Sequence, residues 1–365
     1  MKIYFLILCF FLSLSCFSQD SLPTPPVPSA DDESMFNLNG YLDSYYALYS
    51  DSLEIWRKYQ KFSSTSPLNN TISLNLLHLL GSYEGNNTRA VFGLQYGDIA
   101  DVNFIYPFNI IQQASAGVGI VNNLWFDAGI FPSHLGMEEL LPKDNILSIN
   151  SMNSYYLPKS QAGFKLSFDA TEKLGFQIYL LNGYNMIRDN NKKKSVGFVT
   201  DYSPRENLNF YYSNYIGDDN WDQGTSHLFL INTFSVNYVF KERLTMVFGS
   251  DFGSKENSDV TGSEYAPFFN WLVNASYKIG QKFTLSSRWE SFNDGNAVLS
   301  GFTYDKYIGL VSQGITFGLE FKPSDNSFLR FEARQLTADK KLKIYYTDAP
   351  TNVRREAVVS MGVWF

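Results

Sequence analysis

The chain has 365 residues and a formal net charge of −7, with aromatic rings on 17% of its positions and charges on only 18%. The acidic balance and the lack of a basic patch argue against a nucleic-acid partner, and a charged share below the usual quarter is low for a soluble globule. Past the N-terminus no apolar run reaches the ~20 residues of a membrane-spanning helix. What fits is a strand-built membrane protein, with every second side chain facing lipid and rings at both interfaces.

Lys2 followed by the apolar stretch Ile3 to Leu14 reads as an export signal, too short to cross a bilayer as a helix, with cleavage expected after Ser18. An uncleaved anchor and a lipidated Cys16 are the other readings; Ser13 stands where lipidation signals prefer leucine. Both cysteines, Cys9 and Cys16, fall inside the signal peptide 1–18. If Ser18 is the cut, the exported chain has no disulfide, cysteine nucleophile or thiolate metal site. Residues 19–35, with Pro23, Pro25, Pro26, Pro28, Asp31, Asp32 and Glu33, read as a Pro-rich acidic periplasmic lead-in to a barrel over 36–365.

Period-2 alternation then sets in. It is weak over 36–49 and 71–84 and strongest late, as in Ile315, Phe317, Leu319 and Phe321 against Thr316, Gly318, Glu320 and Lys322. Sixteen strands are predicted: 36–49, 71–84, 88–98, 110–120, 124–131, 160–168, 174–183, 194–202, 207–216, 226–239, 243–253, 268–279, 282–291, 313–322, 327–336 and 355–365. Short turns such as Gly85-Asn86-Asn87, Pro204-Arg205-Glu206 and Gly280-Gln281 alternate with long connections such as 50–70, 132–159 and 292–312. That alternation predicts an all-β fold, a single transmembrane antiparallel up-and-down β-barrel with periplasmic turns and external loops. The even strand total places both chain ends on the periplasmic side.

The last strand puts Ala357, Val359, Met361, Val363 and Phe365 on one apolar face and ends on a phenylalanine. Val363 and Phe365 are the predicted assembly signal, presented to the barrel-assembly machinery, because an open strand edge must pair before it enters hydrocarbon.

Catalytic patterns are thin. His78, His134 and His227 lack metal-ligand spacing, and Ser133 beside His134 is the pair to weigh for a lipid-acting enzyme, although adjacent residues on a strand-to-loop turn point apart. Asp218, Asn220 and Asp222 suggest a calcium loop, but the glycine comes one place late and Phe229 stands where a glutamate belongs. No cofactor, metal site or catalytic residue is predicted. Projecting each apolar face outward aims Asp43, Arg89, Asp127, Lys165, Asp201, Asp251, Arg288, Glu290, Glu320, Lys322, Arg330, Glu332, Arg334 and Glu356 inward. Charges facing mid-bilayer lipid would cost several kcal/mol, so these are the predicted lumen-lining residues, in an aqueous channel or in salt-bridge ladders along the wall.

The segment LWFDAGIFPSHLGMEEL over 124–140 resembles the OmpL-like β-barrel porins. The run from Asn39 to Tyr46 (NGYLDSYY), Leu181 to Asn185 (LNGYN), Arg288 to Asp294 (RWESFND) and Arg330 to Arg334 (RFEAR) match the same family in order. The resemblance implies residence in the outer membrane of a Gram-negative bacterium and transport, with no named solute. The expected function is passive diffusion of small hydrophilic solutes through a water-filled lumen, in contact with outer-membrane lipid and open to oligomerisation. The alternative is a closed structural or adhesive barrel. The connection 132–159 is a candidate constriction loop, a plain surface loop being the other reading.

Overall fold

The structure, a computed structural model, describes residues 35–52, 58–189, 191–218, 227–256, 265–301 and 309–365. The signal peptide with its cleavage point, the lead-in up to residue 34, and Asn220 and Asp222 of the calcium-like segment lie outside the described residues.

The strands are β1 (Met35–Tyr49), β2 (Ile72–Glu84), β3 (Thr88–Tyr96), β4 (Ile111–Val121), β5 (Leu124–Pro132), β6 (Ser160–Thr171), β7 (Leu174–Leu181), β8 (Ser195–Arg205), β9 (Leu208–Asp218), β10 (Leu228–Phe240), β11 (Leu244–Glu256), β12 (Tyr265–Ile279), β13 (Phe283–Asp294), β14 (Leu310–Phe321), β15 (Ser327–Ala338), β16 (Tyr345–Tyr346), β17 (Pro350–Thr351) and β18 (Val353–Trp364). Sixteen of them close into one antiparallel barrel, each paired with its sequence neighbours and β18 with β1 and β15; β16 and β17 form a separate two-stranded hairpin. The expected sixteen-strand barrel is thus the fold. Two short helices, α1 (Asp98–Asn103) and α2 (Met152–Tyr156), lie in connections. Among the described residues no helix is long and apolar enough to cross a membrane, so any crossing is by strands.

Strand bounds shift from the expectation by up to three residues, and at two of them the chain path differs. β3 stops at Tyr96 because Gly97, at φ 129°, turns the chain into α1. β8 runs on through Pro204 and Arg205, and the turn is Glu206-Asn207. The weak early alternation has a physical cause. Register shifts interrupt the ladders β1–β2, β3–β4, β4–β5, β6–β7 and β8–β9, and each extra residue flips the facing of those beyond it. From β9–β10 to β15–β18 the registers run without a slip.

The outer surface is apolar, and near the short-turn rim it carries exposed rings, among them Tyr83, Phe126, Phe168, Tyr202, Tyr238 and Tyr277, the girdle of a membrane barrel. Closure occurs at the chain ends. Gly40 N donates to Phe365 O at 3.0 Å and Phe365 N to Gly40 O at 3.1 Å. The Phe365 ring covers Gly40 where any side chain would collide with it. Inside, the wall is polar toward the short turns and apolar toward the long loops. Phe229, Ile231, Tyr215 and Phe268 stand on inward positions and pack with Phe131, Leu135 and Leu157.

Candidate functional site in the barrel lumen

The connection between β5 and β6 (133–159) folds into the barrel. Its ends are drawn in by apolar contact, since Leu135 and Leu157 are buried against the wall residues Tyr179, Leu181 and Val199. In its middle, Ser151 caps α2 by accepting from Ser154 N at 3.2 Å. A second inward connection meets it from the loop side: Thr65 Oγ1 donates to Ser148 O at 2.9 Å, and Asn75 Oδ1 of β2 accepts from Ser66 N at 3.0 Å.

The late-strand charges hold this loop through its backbone. Glu332 accepts from Ser148 N and Ile149 N at 2.6 and 2.8 Å, and Glu290 accepts from Met152 N at 2.7 Å. Arg330 donates to Pro142 O and Asn145 O at 2.7 and 3.1 Å, and Arg334 to Asn150 O at 3.2 Å. Side chains complete the clamp. Arg334 pairs with Glu290 at 2.7 Å and with Glu356 at 3.7 Å, and Arg288 with Glu138 of the loop at 2.8 Å. Arg330 pairs with Glu320 at 2.7 Å. Arg288, Glu290, Arg330, Glu332, Arg334 and Glu356 are all buried. A buried charge is tolerated only with close partners and hydrogen bonds, and here the loop's amides and carbonyls supply most of them, leaving Arg288 Nε and Nη2, Arg334 Nε and Glu356 Oε2 without a hydrogen bond.

The other predicted lumen charges fall into three groups. Asp43 and Asp251 are buried singly, Asp43 accepting from Asn75 at 2.7 Å and Asp251 bonded by Asn153 of the loop and by Thr233. Asp127 sits between Arg89 at 2.5 Å and Lys165 at 3.6 Å, with Gly117 of β4 leaving the space. Asp201, Glu320 and Lys322 line open space. Sequence parity missed Arg354, fully buried at one end of β18 against Glu356 at 2.5 Å and Asp51 at 3.8 Å. Its spacing of two from Glu356 was the available signal, hidden by starting that strand at 355. The loop residues Glu138, Glu139, Asp144 and Lys159 carry no periodic signal at all.

The Ser133–His134 pair is not arranged for nucleophilic chemistry. His134 is buried, stacked on Tyr179 at 4.6 Å, and its two ring nitrogens face Gln161 Oε1 at 2.7 Å and Asn214 O at 2.8 Å. Burial lowers its pKa to about 4, and Ser133 Oγ accepts from Leu135 N at 3.1 Å instead. Among the described residues no cluster of His, Cys, Asp and Glu could hold a metal ion.

The inward loop divides the lumen. On the short-turn side it roofs a vestibule of about 910 Å³ whose wall over β9–β13 is largely uncharged, with Asn209, Ser235, Asn237, Asn274, Ser276 and Ser286. A second cavity of about 210 Å³ lies between the loop and the β2–β4 wall. Glu138, Glu139 and Asp144 line both. Burial, followed by the charge of Asp144, raises the pKa of Glu139. Burial lowers that of Lys159 to about 8, against the pull of Glu138 and Glu139.

The family described as "Putative beta-barrel porin-2, OmpL-like" matches residues 35–365. The chain belongs to this family. Among solved structures, the barrel resembles the anion-selective porin from Comamonas acidovorans, with a TM-score of 0.62 at 11% identity over 91% of this chain and 100% of that one. It also resembles the outer membrane channel DcaP of Acinetobacter baumannii, with a TM-score of 0.60 at 10% identity over 91% and 97%. OmpT of Vibrio cholerae, in its trimer form, gives 0.54 at 12% over 92% and 100%. At these identities the likeness is one of fold. A search of curated protein sequences gives no match.

Proposed function

We propose that this OmpL-like barrel is an outer-membrane porin of a Gram-negative bacterium through which small hydrophilic solutes diffuse passively. The observation that carries the reading is the 910 Å³ polar vestibule inside a sixteen-stranded wall whose outer face is apolar. A lumen walled by amides and hydroxyls, with mixed charges, suits water and small polar solutes. The inward loop borders both the vestibule and the 210 Å³ cavity, which supports reading 133–159 as a constriction loop. The residues that act on solute in this reading are Asp201, Glu320 and Lys322 in the vestibule and the loop carboxylates. The buried charges of β13–β18 act indirectly by fixing the loop. The family and the fold support a non-enzymatic reading.

A closed barrel is the second reading, favoured by one observation. Loops 58–66, 152–156 and 342–345 contribute Phe62, Met152, Leu342 and Tyr345 to an apolar cluster within the barrel on the β13–β15 side. Single-channel recording of the purified chain in a planar bilayer separates the two. Discrete, ohmic openings are expected from a porin; folded barrels that conduct nothing would establish the closed reading. Trimers or other oligomers, outer-membrane lipid and the barrel-assembly machinery remain the proposed partners, the last acting on Val363 and Phe365.

A further inference from the structure

The 210 Å³ cavity between the loop and the β2–β4 wall is built differently from the vestibule. At ~30 Å³ per water it holds roughly seven waters, the space of a small organic solute. On its loop side Glu139 lines the cavity and makes no ion pair among the described residues. Asp144 lies close enough to raise the Glu139 pKa and pairs only with the adjacent Lys143, at 2.7 Å. Lys159 donates to Ser154 O at 2.6 Å and to Ser154 Oγ at 2.5 Å, which leaves one of three ammonium protons. It stands more than ion-pair distance from Glu139, since no contact within 4.0 Å joins them. On the wall, His78 and Gln112 line the cavity with 3% and 6% exposure. His78 Nε2 and Gln112 Oε1 are both buried and converge over Gly93, where each is the other's side-chain neighbour. A polar wall of this kind has hydrogen-bonding capacity to share with water or a solute.

We propose that this cavity is a binding site for small zwitterionic solutes of amino-acid size. The solute's ammonium group lies toward Glu139 and Asp144, its carboxylate toward Lys159, and its polar middle against His78 and Gln112. Carboxylates and an ammonium on one cavity, beside a neutral polar wall, complement a zwitterion better than a lone cation or anion, because each end of the solute finds its own counter-charge; Glu138, the other carboxylate near Lys159, is already taken up by Arg288 and Ser151. Bound solute at the neck also brakes ion flow, so occupancy is visible as a reduction of current. The proposal rests on the porin reading only for the route by which solute arrives.

L-serine is the probe, with glycerol as the uncharged comparison and ethylammonium and acetate as the two half-charged ones. Calorimetric titration of the full chain in detergent should give saturable binding of L-serine and none of glycerol. Glu139→Gln should weaken L-serine and ethylammonium about tenfold, the scale of one charge-assisted hydrogen bond, and leave acetate unchanged. Lys159→Met should weaken L-serine and acetate and spare ethylammonium. Heat-modifiable gel mobility confirms that each variant is folded, and Asp144→Asn tests the same end of the site should Glu139→Gln fail that check. In the bilayer, L-serine should reduce wild-type current in a saturable way. Conduction without saturable L-serine binding, or equal binding of glycerol, overturns the site and leaves the porin intact. Saturable binding by barrels that conduct nothing overturns the porin and leaves the site.

Discussion

Two stretches of the same wall put their inward residues to opposite uses. Over β9–β12 the inward residues toward the short turns are Asn209, Ser235, Asn237, Asn274 and Ser276, and they face open vestibule. Over β13–β18 they are Arg288, Glu290, Glu332, Arg334 and Glu356, and they are buried against the inward loop and one another. The parity is the same in both stretches; the difference is whether a loop arrives to cover it. Charge on a barrel's inward face is therefore a mark of what it holds as much as of what it conducts. In the porin reading proposed above, ion selectivity belongs to the charges left open, on the loop and in the vestibule, and not to the buried ladder.

The sharpest break in this comparison comes from removing one member of the clamp. Arg334→Ala strips Glu290, Glu356 and Asn150 O of a shared donor and leaves two buried carboxylates short of a partner. Removing one side of a buried pair costs about 3–5 kcal/mol. Asn237→Ala, on the vestibule wall, should stay within about 0.5 kcal/mol. Urea unfolding of the refolded barrel measures both, and equal losses would dissolve the distinction between the two walls. The released loop should also raise conductance and current noise, whereas Asn237→Ala should leave the trace quiet.

A smaller effect is expected at the seam, where the barrel is held by a few contacts at its edge. Deleting Phe365 removes two backbone hydrogen bonds to Gly40 and the ring that covers it. Gly40→Val places a side chain where that ring lies. Both should lower the folded fraction after expression, read by heat-modifiable mobility, with the deletion the worse because it exposes a strand edge to lipid. Val363→Ala, which keeps the backbone pairing, should fall close to wild type. An undiminished folded yield for the Phe365 deletion would leave Phe365 without an assembly role.

How far these features were legible follows from where period-2 patterning survives. The barrel, the sixteen strands and the short-turn/long-loop alternation were readable because lipid imposes an apolar outward face on every strand. The inward parity of Arg288, Glu332 and Arg334 was readable for the same reason. Their burial was not, because it depends on a loop whose amides and carbonyls are the partners, and backbone groups look alike in any sequence. One signal did stand in the strands. Phe229 and Ile231 occupy the parity meant for water, as does Phe268 on β12. Apolar residues there make sense only if something packs inside. Glu139, Asp144 and Lys159 had no such marker, since an irregular loop has no period to violate.

The smallest effect concerns pH, and it probes the open charges alone. Lys159 faces Glu138 and Glu139 within the loop, with Asp144 and His78 also on the cavity wall and Arg288 reached through Glu138. Burial holds its pKa near 8, below the ~10.4 of a free lysine. As pH rises from 7 to 9 the ammonium loses its proton while the carboxylates stay charged. The neck becomes more negative, and the reversal potential in a salt gradient should move toward cations. The stability sign is the same as that of a paired carboxylate, because both groups have a pKa depressed in the folded chain. Between about 8 and 10.4 the unfolded chain binds more protons than the folded one, so stability attributable to this residue increases with pH across that window. Below it, the buried ammonium opposes folding in full. Lys159→Met should abolish both slopes and leave the Glu139 limb, in which protonation on acidification moves selectivity toward anions at a pH above the ordinary carboxylate range. High salt should flatten the selectivity shift by screening, and it should leave the clamp between Arg334 and Glu290 largely untouched because no water reaches that pair. A pH slope that persists unchanged in Lys159→Met would move the titrating group elsewhere in the lumen and return selectivity to the wall.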